Sequence, residues 1–288
     1  GWLAQESSQG TMYLERVNAG VTPPAQEPTA APTPEPTPAD VEREDVEPLD
    51  VYEEIEISTS IFVLGCDRDD DMCEWDGGPR HPVTLDTFFI DKYEVTNSRY
   101  AACVEDDTCT PPRSPATETN SRYYSSRTFA NFPVVNVDWD QARTFCEWEN
   151  KRLPTEAEWA RAAGNGISTW PWGEDDPSCD LLNFGDPDNN SYCVGEPAPV
   201  GYYPDGASPF GVMDMGGNVA EWVADWYQGD YFTQWPARNP TGPDEGTWRV
   251  FRGGGWSVAA EYALTARRNY NGPGSWSTAI GFRCVRSE

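Results

Sequence analysis

Basic residues and histidine are scarce in this chain of 288 residues. There are 20 Lys and Arg against 48 Asp and Glu, and His81 is the only histidine, so the formal net charge is −28 and the isoelectric point is about 4.2. Nucleic acids and anionic membrane surfaces repel such a chain, which argues against both as partners. With one histidine, no Ser/His/Asp catalytic arrangement is credible. His81 precedes Pro82 and is predicted to be a surface or turn residue.

The sequence also lacks Cys-x-x-Cys pairs and long apolar runs. Its eight cysteines, beside one histidine, make a structural zinc site improbable, so we expect disulfides and an oxidising compartment. No segment approaches the roughly 18 to 20 apolar residues of a membrane span. The chain begins at Gly1 without Met or a signal peptide, which favours a mature protein that is secreted or on the cell surface. A piece cut from a longer protein would look the same.

Composition divides the chain into three parts. Residues 1–20 contain one short alternating run, Thr11–Val17, which predicts a strand that could dock on a neighbouring copy or partner. Residues 21–57 are a Pro/Thr/Glu-rich acidic linker. Through Ile57 the tail holds 13 acidic residues against 2 basic ones, a net charge of −11 that favours an extended segment. Docking and a plain flexible linker remain equal alternatives. Residues 58–288 are predicted to form the folded domain.

Periodicity within the domain predicts short strands and three helices, followed by long irregular stretches over residues 165–210 and 226–250. Glu156 and Glu158 lie at a helix start, where capping explains them better than catalysis. Two strands are predicted, at Ile55–Gly65 and at His81–Val95. The first helix is predicted from Thr96 to Cys103, and the second begins at the cap Asp138 and runs to Trp148. The third is capped by Thr155, with Glu158 completing a capping box.

The glycine-rich stretch Gly211–Trp222 predicts a tight loop, because glycine adopts backbone angles that other residues avoid. Asp214 and Glu221 offer carboxylate oxygens for a cation such as calcium. From these residues alone, an ordinary Gly/Asn turn is the favoured alternative. Asp225 with Glu221 could form a glycosidase-like carboxylate pair, but acidic residues are so common here that the pairing carries little information.

Several motifs in order give the chain a specific resemblance. They are Phe62–Gly65, Pro82–Thr84 followed by Tyr93–Asn97, Pro133–Ala142, Lys151–Trp159, Gly217–Trp222, Arg252–Gly254 and Gly281–Cys284. Residues 58–288 resemble the formylglycine-generating enzymes, also called the sulfatase-modifying-factor domain family. The resemblance implies an α+β fold of the duplicated C-type-lectin-like kind, low in regular secondary structure and stabilised by disulfides. The N-terminal tail lies outside the resemblance.

The resemblance also implies a disulfide between Cys146 and Cys284, joining the second helix to the last strand. The remaining cysteines are paired by proximity as Cys66–Cys73, Cys103–Cys109 and Cys179–Cys193. Eight cysteines allow 105 connectivities, so this pairing is a hypothesis.

The family's calcium positions transfer in part. A first structural site would use the side chains of Asp214 and Glu221 with the carbonyls of Gly217 and Val219. A second would use Asn183 and the carbonyl of Phe184, but the acidic residue expected later in the sequence falls at Tyr192, beyond Asp186 and Asp188. The second site is therefore the weaker expectation.

The family's copper site does not transfer. Its two cysteine thiolates, the ligands that soft Cu(I) needs, align with Val258 and Ala263, so no copper is expected. Relatives in sulfoxide synthesis hold iron through several histidines, and this chain has one. The substrate-binding face of the family would correspond to a cleft with Arg252, Trp256 and Tyr262.

Two functions follow from a fold without its usual metal ligands. The first is a secreted pseudoenzyme that recognises a protein or glycan, or assembles with copies of itself through the N-terminal tail, as in a filament or surface structure. The alternative is an enzyme with altered chemistry in the same cleft, such as oxidation of a protein cysteine without the usual copper. The lost cysteines, the acidic disulfide-rich character and the tail favour the first, since the site and not the fold decides function.

Overall fold

The computed structural model describes residues 2–6, 12–16, 51–67, 73, 77–164, 166, 168–186 and 189–288. The chain divides into two units, residues 1–48 and 49–288. In the first unit, strands β1 (Trp2–Glu6) and β2 (Met12–Arg16) form an antiparallel hairpin. The predicted strand at Thr11–Val17 therefore contains β2, paired with a strand that the sequence pattern did not reveal. Residues 21–50 of the predicted linker lie outside the described residues.

The second unit begins earlier than the predicted boundary at residue 58. Strand β3 (Glu54–Ile57) pairs with β6 (Phe88–Asp91), and β13 (Val285–Ser287) pairs with the other side of β6. The end of the predicted linker is thus part of a three-stranded sheet. Its acidic residues do not keep it outside the fold, because Glu54 forms ion pairs with Lys151 and Arg286.

Both long predicted strands are broken in two. The segment Ile55–Gly65 contains the end of β3 and then β4 (Ser60–Leu64), and the segment His81–Val95 contains β5 (His81–Leu85) and then β6. Strands β4 and β5 pair with each other, while β3 and β6 pair in a different sheet. The β3–β4 and β5–β6 connections both pass from one sheet to the other, and they lie side by side. The Thr59 N–H of one connection donates to Thr87 Oγ1 of the other at 3.1 Å.

The three predicted helices are present with their predicted caps. Helix α1 spans Asn97–Glu105 after the Thr96 cap, α2 spans Trp139–Trp148 after Asp138, and α3 spans Glu156–Ala163 after Thr155. Helices α2 and α3 both have a capping box, formed with Gln141 and Glu158 respectively. Each cap supplies acceptors for backbone N–H groups that the first helical turn leaves unpaired.

The remaining strands are short and are separated by long irregular segments, as predicted. They are β7 (Gly185–Asp186), β8 (Ser191–Tyr192), β9 (Ala220–Trp226), β10 (Arg249–Arg252), β11 (Asn269–Asn271) and β12 (Ile280–Gly281). Strands β7 and β8 form a hairpin, and the other four form a sheet in the order β11-β10-β9-β12. This sheet carries both the glycine-rich loop, at the start of β9, and the Arg-Gly-Gly turn, at the end of β10.

All eight cysteines form disulfides, in the four predicted pairs: Cys66–Cys73, Cys103–Cys109, Cys146–Cys284 and Cys179–Cys193. Residues 68–72 of the first cysteine loop lie outside the described residues. Buried aromatic side chains supply much of the core, including the fully buried Trp159 and Trp222. Within the described residues, no helix is long and apolar enough to cross a membrane.

Candidate binding cleft and its buried supports

The glycine-rich loop before β9 is held by one asparagine. Asn218 has a positive φ of 56°, and its side chain donates to Glu94 at 2.7 Å and accepts the Ala198 N–H at 2.8 Å. Its backbone N–H donates to the Asn183 carbonyl at 2.8 Å, and its own carbonyl accepts the Trp256 N–H at 2.8 Å. This residue therefore links the loop to the turn after β10.

Glu221 forms a buried ion pair with Arg283. The guanidinium of Arg283 donates to both carboxylate oxygens at 2.6–3.0 Å, and the indole N–H of Trp159 donates to Oε2 at 2.8 Å. Both charged side chains are almost fully buried. Glu221 therefore joins helix α3, the glycine-rich loop and the C-terminal segment.

Two further carboxyl groups, Glu94 and Asp214, lie near this ion pair and are also buried. Burial raises the pKa of Asp214 to about 6, partly offset by the N–H of Gly201, which donates to Oδ2 at 2.6 Å. Burial, and then the charges of Asp214 and Glu221, raise the pKa of Glu94 well above its usual range. Three acids thus share one arginine, and the surplus negative charge favours either bound protons or a bound cation.

The first predicted calcium site fits a cation at Asp214 but not at Glu221. Asp214 Oδ1 is buried and has no hydrogen-bond partner among the described residues, so it is an acceptor available to a metal ion. Both oxygens of Glu221 are instead engaged by Arg283. Calcium held here would rely on Asp214 with the carbonyls of Gly217 and Val219, oxygen ligands of the kind that it prefers. This site remains a prediction.

The second predicted site keeps one suitable ligand. Asn183 Oδ1 is buried without a hydrogen-bond partner among the described residues. The carbonyl of Phe184 accepts the Cys193 N–H at 3.1 Å, and the Asp186 carboxylate accepts two hydrogen bonds from Asn189. Tyr192, at the position of the expected acid, is exposed and offers no carboxylate. The residues here fit calcium less well than those around Asp214.

Arg252 belongs to a buried ion-pair network and does not line a cleft, contrary to prediction. It donates to Glu156 at 2.6 Å and to the Thr265 carbonyl at 2.6 Å, and Arg268 forms two hydrogen bonds with the same carboxylate. Although burial opposes ionisation, Arg268 and Arg252 hold the pKa of Glu156 below its usual value. The arginine thus fixes the Arg-Gly-Gly turn against helix α3.

A cavity of about 170 Å³ lies beside this turn. Its walls are mostly apolar, and its polar groups come from serine, tyrosine and asparagine. The lining residues are Ala220, Phe251, Gly254, Gly255, Ser257, Val258, Tyr262, Asn269, Ser277, Ala279 and Ile280. A larger groove of about 640 Å³ lies elsewhere, along Leu85–Thr87, Arg152 and Asn239–Thr241, and contains none of the predicted site residues.

The cavity contains one of the two positions where the family carries copper ligands. Val258 lines it, and Ala263 is buried directly behind Gly254, where an added Cβ would lie 3.0 Å from the Ala263 nitrogen. Gly254 has a φ of +68°, so both its backbone angle and its surroundings require glycine. Aliphatic side chains offer copper no ligand atom, so the residues present do not fit the family's metal.

Of the other predicted cleft residues, Tyr262 lines the cavity and Trp256 does not. Trp256 is 6% exposed, packs with Tyr123, Val135 and Val219, and donates its indole N–H to the Thr278 carbonyl at 2.9 Å.

His81 also differs from its prediction. It begins strand β5, is partly buried, and packs edge-on against Phe232 and Trp235.

Comparison with known proteins identifies the family. The model of the sulfatase-modifying factor enzyme 1-like domain matches residues 39–288. The chain belongs to this family. A formylglycine-generating enzyme of Thermomonospora curvata is 30% identical to this family member over 80% of this chain and 92% of that protein. A hercynine oxygenase of Mycolicibacterium thermoresistibile is 31% identical over 74% of this chain and 54% of that protein.

This family member also matches larger proteins. A protein named serine/threonine-protein kinase pkn1, from Chlamydia caviae, is 31% identical over 85% of this chain and 40% of that protein. The chain thus spans about two fifths of that relative's length. Among solved structures, PvdO from Pseudomonas aeruginosa superposes with a TM-score of 0.68 at 24% identity, covering 82% of this chain and 94% of that one. This likeness supports the predicted fold.

Sequence reasoning missed the roles of Glu94, Arg268 and Arg283. Glu94 and Arg283 both lie in motifs that carried the family resemblance, but neither motif shows which distant residue the side chain contacts. Glu221 and Asp225 do not form the glycosidase-like carboxylate pair considered from the sequence. Glu221 binds Arg283, while Asp225 accepts the Glu156 N–H at 2.7 Å. Glu158 is confirmed as a capping residue and also pairs with Arg152.

Proposed function

We infer that this chain is a secreted, non-catalytic member of the family. It recognises a protein or glycan through the face that carries the cavity, or assembles with its own copies through the N-terminal tail. One observation carries this proposal: all eight cysteines are in disulfides, and Val258 and Ala263 occupy the positions of the copper-binding thiolates. Because Cu(I) requires soft ligands such as thiolates, the family's reaction has no metal centre to use in this cleft.

The surroundings of the lost metal site support retained binding. The cavity persists beside Val258, and the buried network of Glu156, Arg252 and Arg268 still fixes the turn that forms its wall. A rigid apolar cavity with a few polar groups is the usual form of a ligand site. Four disulfides support an oxidising, extracellular setting, where such bonds persist.

The test is a direct assay for the family's reaction. The purified chain is incubated with Cu(I), oxygen and a peptide carrying the cysteine motif of sulfatases, and the peptide mass is measured. We expect no aldehyde product, while the Thermomonospora curvata relative, as a positive control, converts the peptide if it has the activity in its name. Conversion by this chain would overturn the proposal and favour an enzyme with altered chemistry.

Self-assembly through the tail has a separate test. Light scattering compares the particle size of the full chain with that of a variant lacking residues 1–40. If the tail docks on a neighbouring copy, the deletion reduces an assembled particle to a single chain. An unchanged size would show that the tail is only a spacer.

A further inference from the structure

We propose that the cavity beside the Arg-Gly-Gly turn binds the neutral terminal sugar of a glycan. This assignment rests on the proposed non-catalytic function and narrows its ligand class. It is carried by three features of the described residues: the cavity has no charged wall, one exposed tyrosine ring lines it, and a neighbouring guanidinium holds that ring.

The first feature is the absence of charge. None of the eleven residues that line the cavity is charged, although charged residues make up 24% of the chain. A charged ligand would lose water here without gaining an ion pair from the lining residues, which is costly. The polar groups present are the hydroxyls of Ser257, Tyr262 and Ser277 and the amide of Asn269. Hydroxyls and amides are the neutral donors and acceptors that match sugar hydroxyls.

The second feature is an exposed aromatic residue in the cavity wall. Tyr262 lines the cavity and is 36% exposed, so its ring is accessible to a ligand. Phe251, which is partly buried, adds a second ring to the wall.

The third feature is that the Tyr262 ring is held in place. The guanidinium of Arg267 lies 4.2 Å from the centre of the Tyr262 ring. Rings that are already positioned lose little conformational freedom when a ligand binds, so their contact area contributes more to affinity.

These features favour a sugar over an apolar peptide side chain. The C–H groups on one face of a sugar ring pack against an aromatic face while its hydroxyls bond to neighbouring polar groups. Asn269 Nδ2 is buried without a hydrogen-bond partner among the described residues. An apolar side chain in the cavity would leave this donor unpaired, and unpaired buried polar groups are unfavourable. At about 170 Å³, the cavity admits a terminal residue only.

The test measures binding to immobilised oligosaccharides that end in galactose, mannose, glucose or N-acetylglucosamine, beside sialylated counterparts. We expect the chain to bind at least one neutral series and no sialylated one. Tyr262→Ala, which removes the exposed ring from the wall, and Val258→Phe, which fills the cavity, should each weaken binding tenfold or more. Tyr52→Ala is the matched control, because it removes a ring that is 59% exposed and packs beside Arg99; it should leave binding within twofold.

Thermal midpoints of all variants establish that a loss of binding is not a loss of folding. Binding to no neutral glycan, binding only to sialylated glycans, or equal weakening by Tyr52→Ala would overturn the assignment. If one of these results is obtained and the cysteine peptide is not converted in the separate assay, a neutral sugar is rejected as the ligand class. The proposed non-catalytic function is then unaffected. Conversion of the peptide would reject the proposed function itself.

Discussion

Asp225 is a buried carboxyl group with only one of its two oxygens hydrogen-bonded. It is 1% exposed, Oδ2 accepts the Glu156 N–H, and Oδ1 has no hydrogen-bond partner among the described residues. Burial, followed by the charge of Glu156, raises its pKa well above the usual range. A carboxyl group whose folded-state pKa is raised contributes its full stability below the unfolded pKa of about 4, and this contribution is lost as pH rises through the folded-state pKa.

Asp225→Asn should therefore stabilise the protein increasingly as pH rises from 4 towards 8. The amide keeps an acceptor for the Glu156 N–H and removes the buried charge. The gain over wild type should be at most about 1.4 kcal/mol for each pH unit between the unfolded and folded pKa values. Urea unfolding of both proteins across this pH range measures it. Asp205→Asn, at an exposed position, is the control. Parallel stability curves for wild type and Asp225→Asn would contradict the expected linkage.

Asp214 provides the test for calcium. If it holds an ion, adding a chelator should lower the thermal midpoint of the wild type, because a ligand that binds only the folded state stabilises it, by about 2.7 kcal/mol at a hundredfold excess over Kd. At about 2–4 °C per kcal/mol, this is a shift of several degrees for a domain of this size. The Asp214→Asn variant should show a smaller response. An unchanged wild-type midpoint would contradict the calcium site and favour an ordinary turn at this loop.

The chemistry of single positions was predictable from sequence only where the partner is close along the chain. Glu158 caps a helix three residues after Thr155, and this spacing is visible in the sequence. Glu221 and Arg283 are separated by 62 positions, so no local pattern indicates that they pair. The sequence therefore suggested carboxylate ligands at Asp214 and Glu221 but could not show that Arg283 engages one of them.

At the scale of elements, the start of helix α3 depends on Thr155. Its side chain accepts the Glu158 N–H, and Glu158 in turn accepts the Thr155 N–H and binds Arg152. Thr155→Ala should lower the free energy of unfolding by about 1–2 kcal/mol, the usual loss on removing an N-cap. Thr247→Ala, at an exposed loop position, should change it by less than about 0.5 kcal/mol. Equal effects of both substitutions on the urea midpoint would contradict this role.

Helices and strands differ in how far the sequence predicted them. All three helices carry their own start signals, so their caps were found correctly. The breaks at Ser58–Thr59 and Asp86–Thr87 were missed, because alternation of apolar and polar residues continues while the chain passes from one sheet to the other. Sheet membership depends on pairing with distant strands, and β13 joins β6 from almost 200 residues away.

At the scale of the whole molecule, the disulfides differ in the length of chain that they close. Cys146–Cys284 spans 138 residues and Cys103–Cys109 spans 6. In the chain-entropy model these loops correspond to about 5 and about 2 kcal/mol. Replacing both cysteines of the long-range pair by alanine should thus lower the urea midpoint more than the same change in the short-range pair, since all four residues are buried. A smaller effect from the long-range pair would contradict the model.

The three-stranded sheet also determines how the second unit would respond to a pulling force. Strands β3 and β13 are both antiparallel to β6, one on each side, and therefore run parallel to each other. Strand β3 begins at Glu54, which lies opposite Asp91 at one end of the sheet. Strand β13 ends at Ser287, which lies opposite Phe88 at the other end. Tension between these points would slide the strands along their axes and load all the ladder hydrogen bonds together instead of breaking them one at a time. The sheet would thus act as a mechanical clamp if the protein were stretched between two attachments.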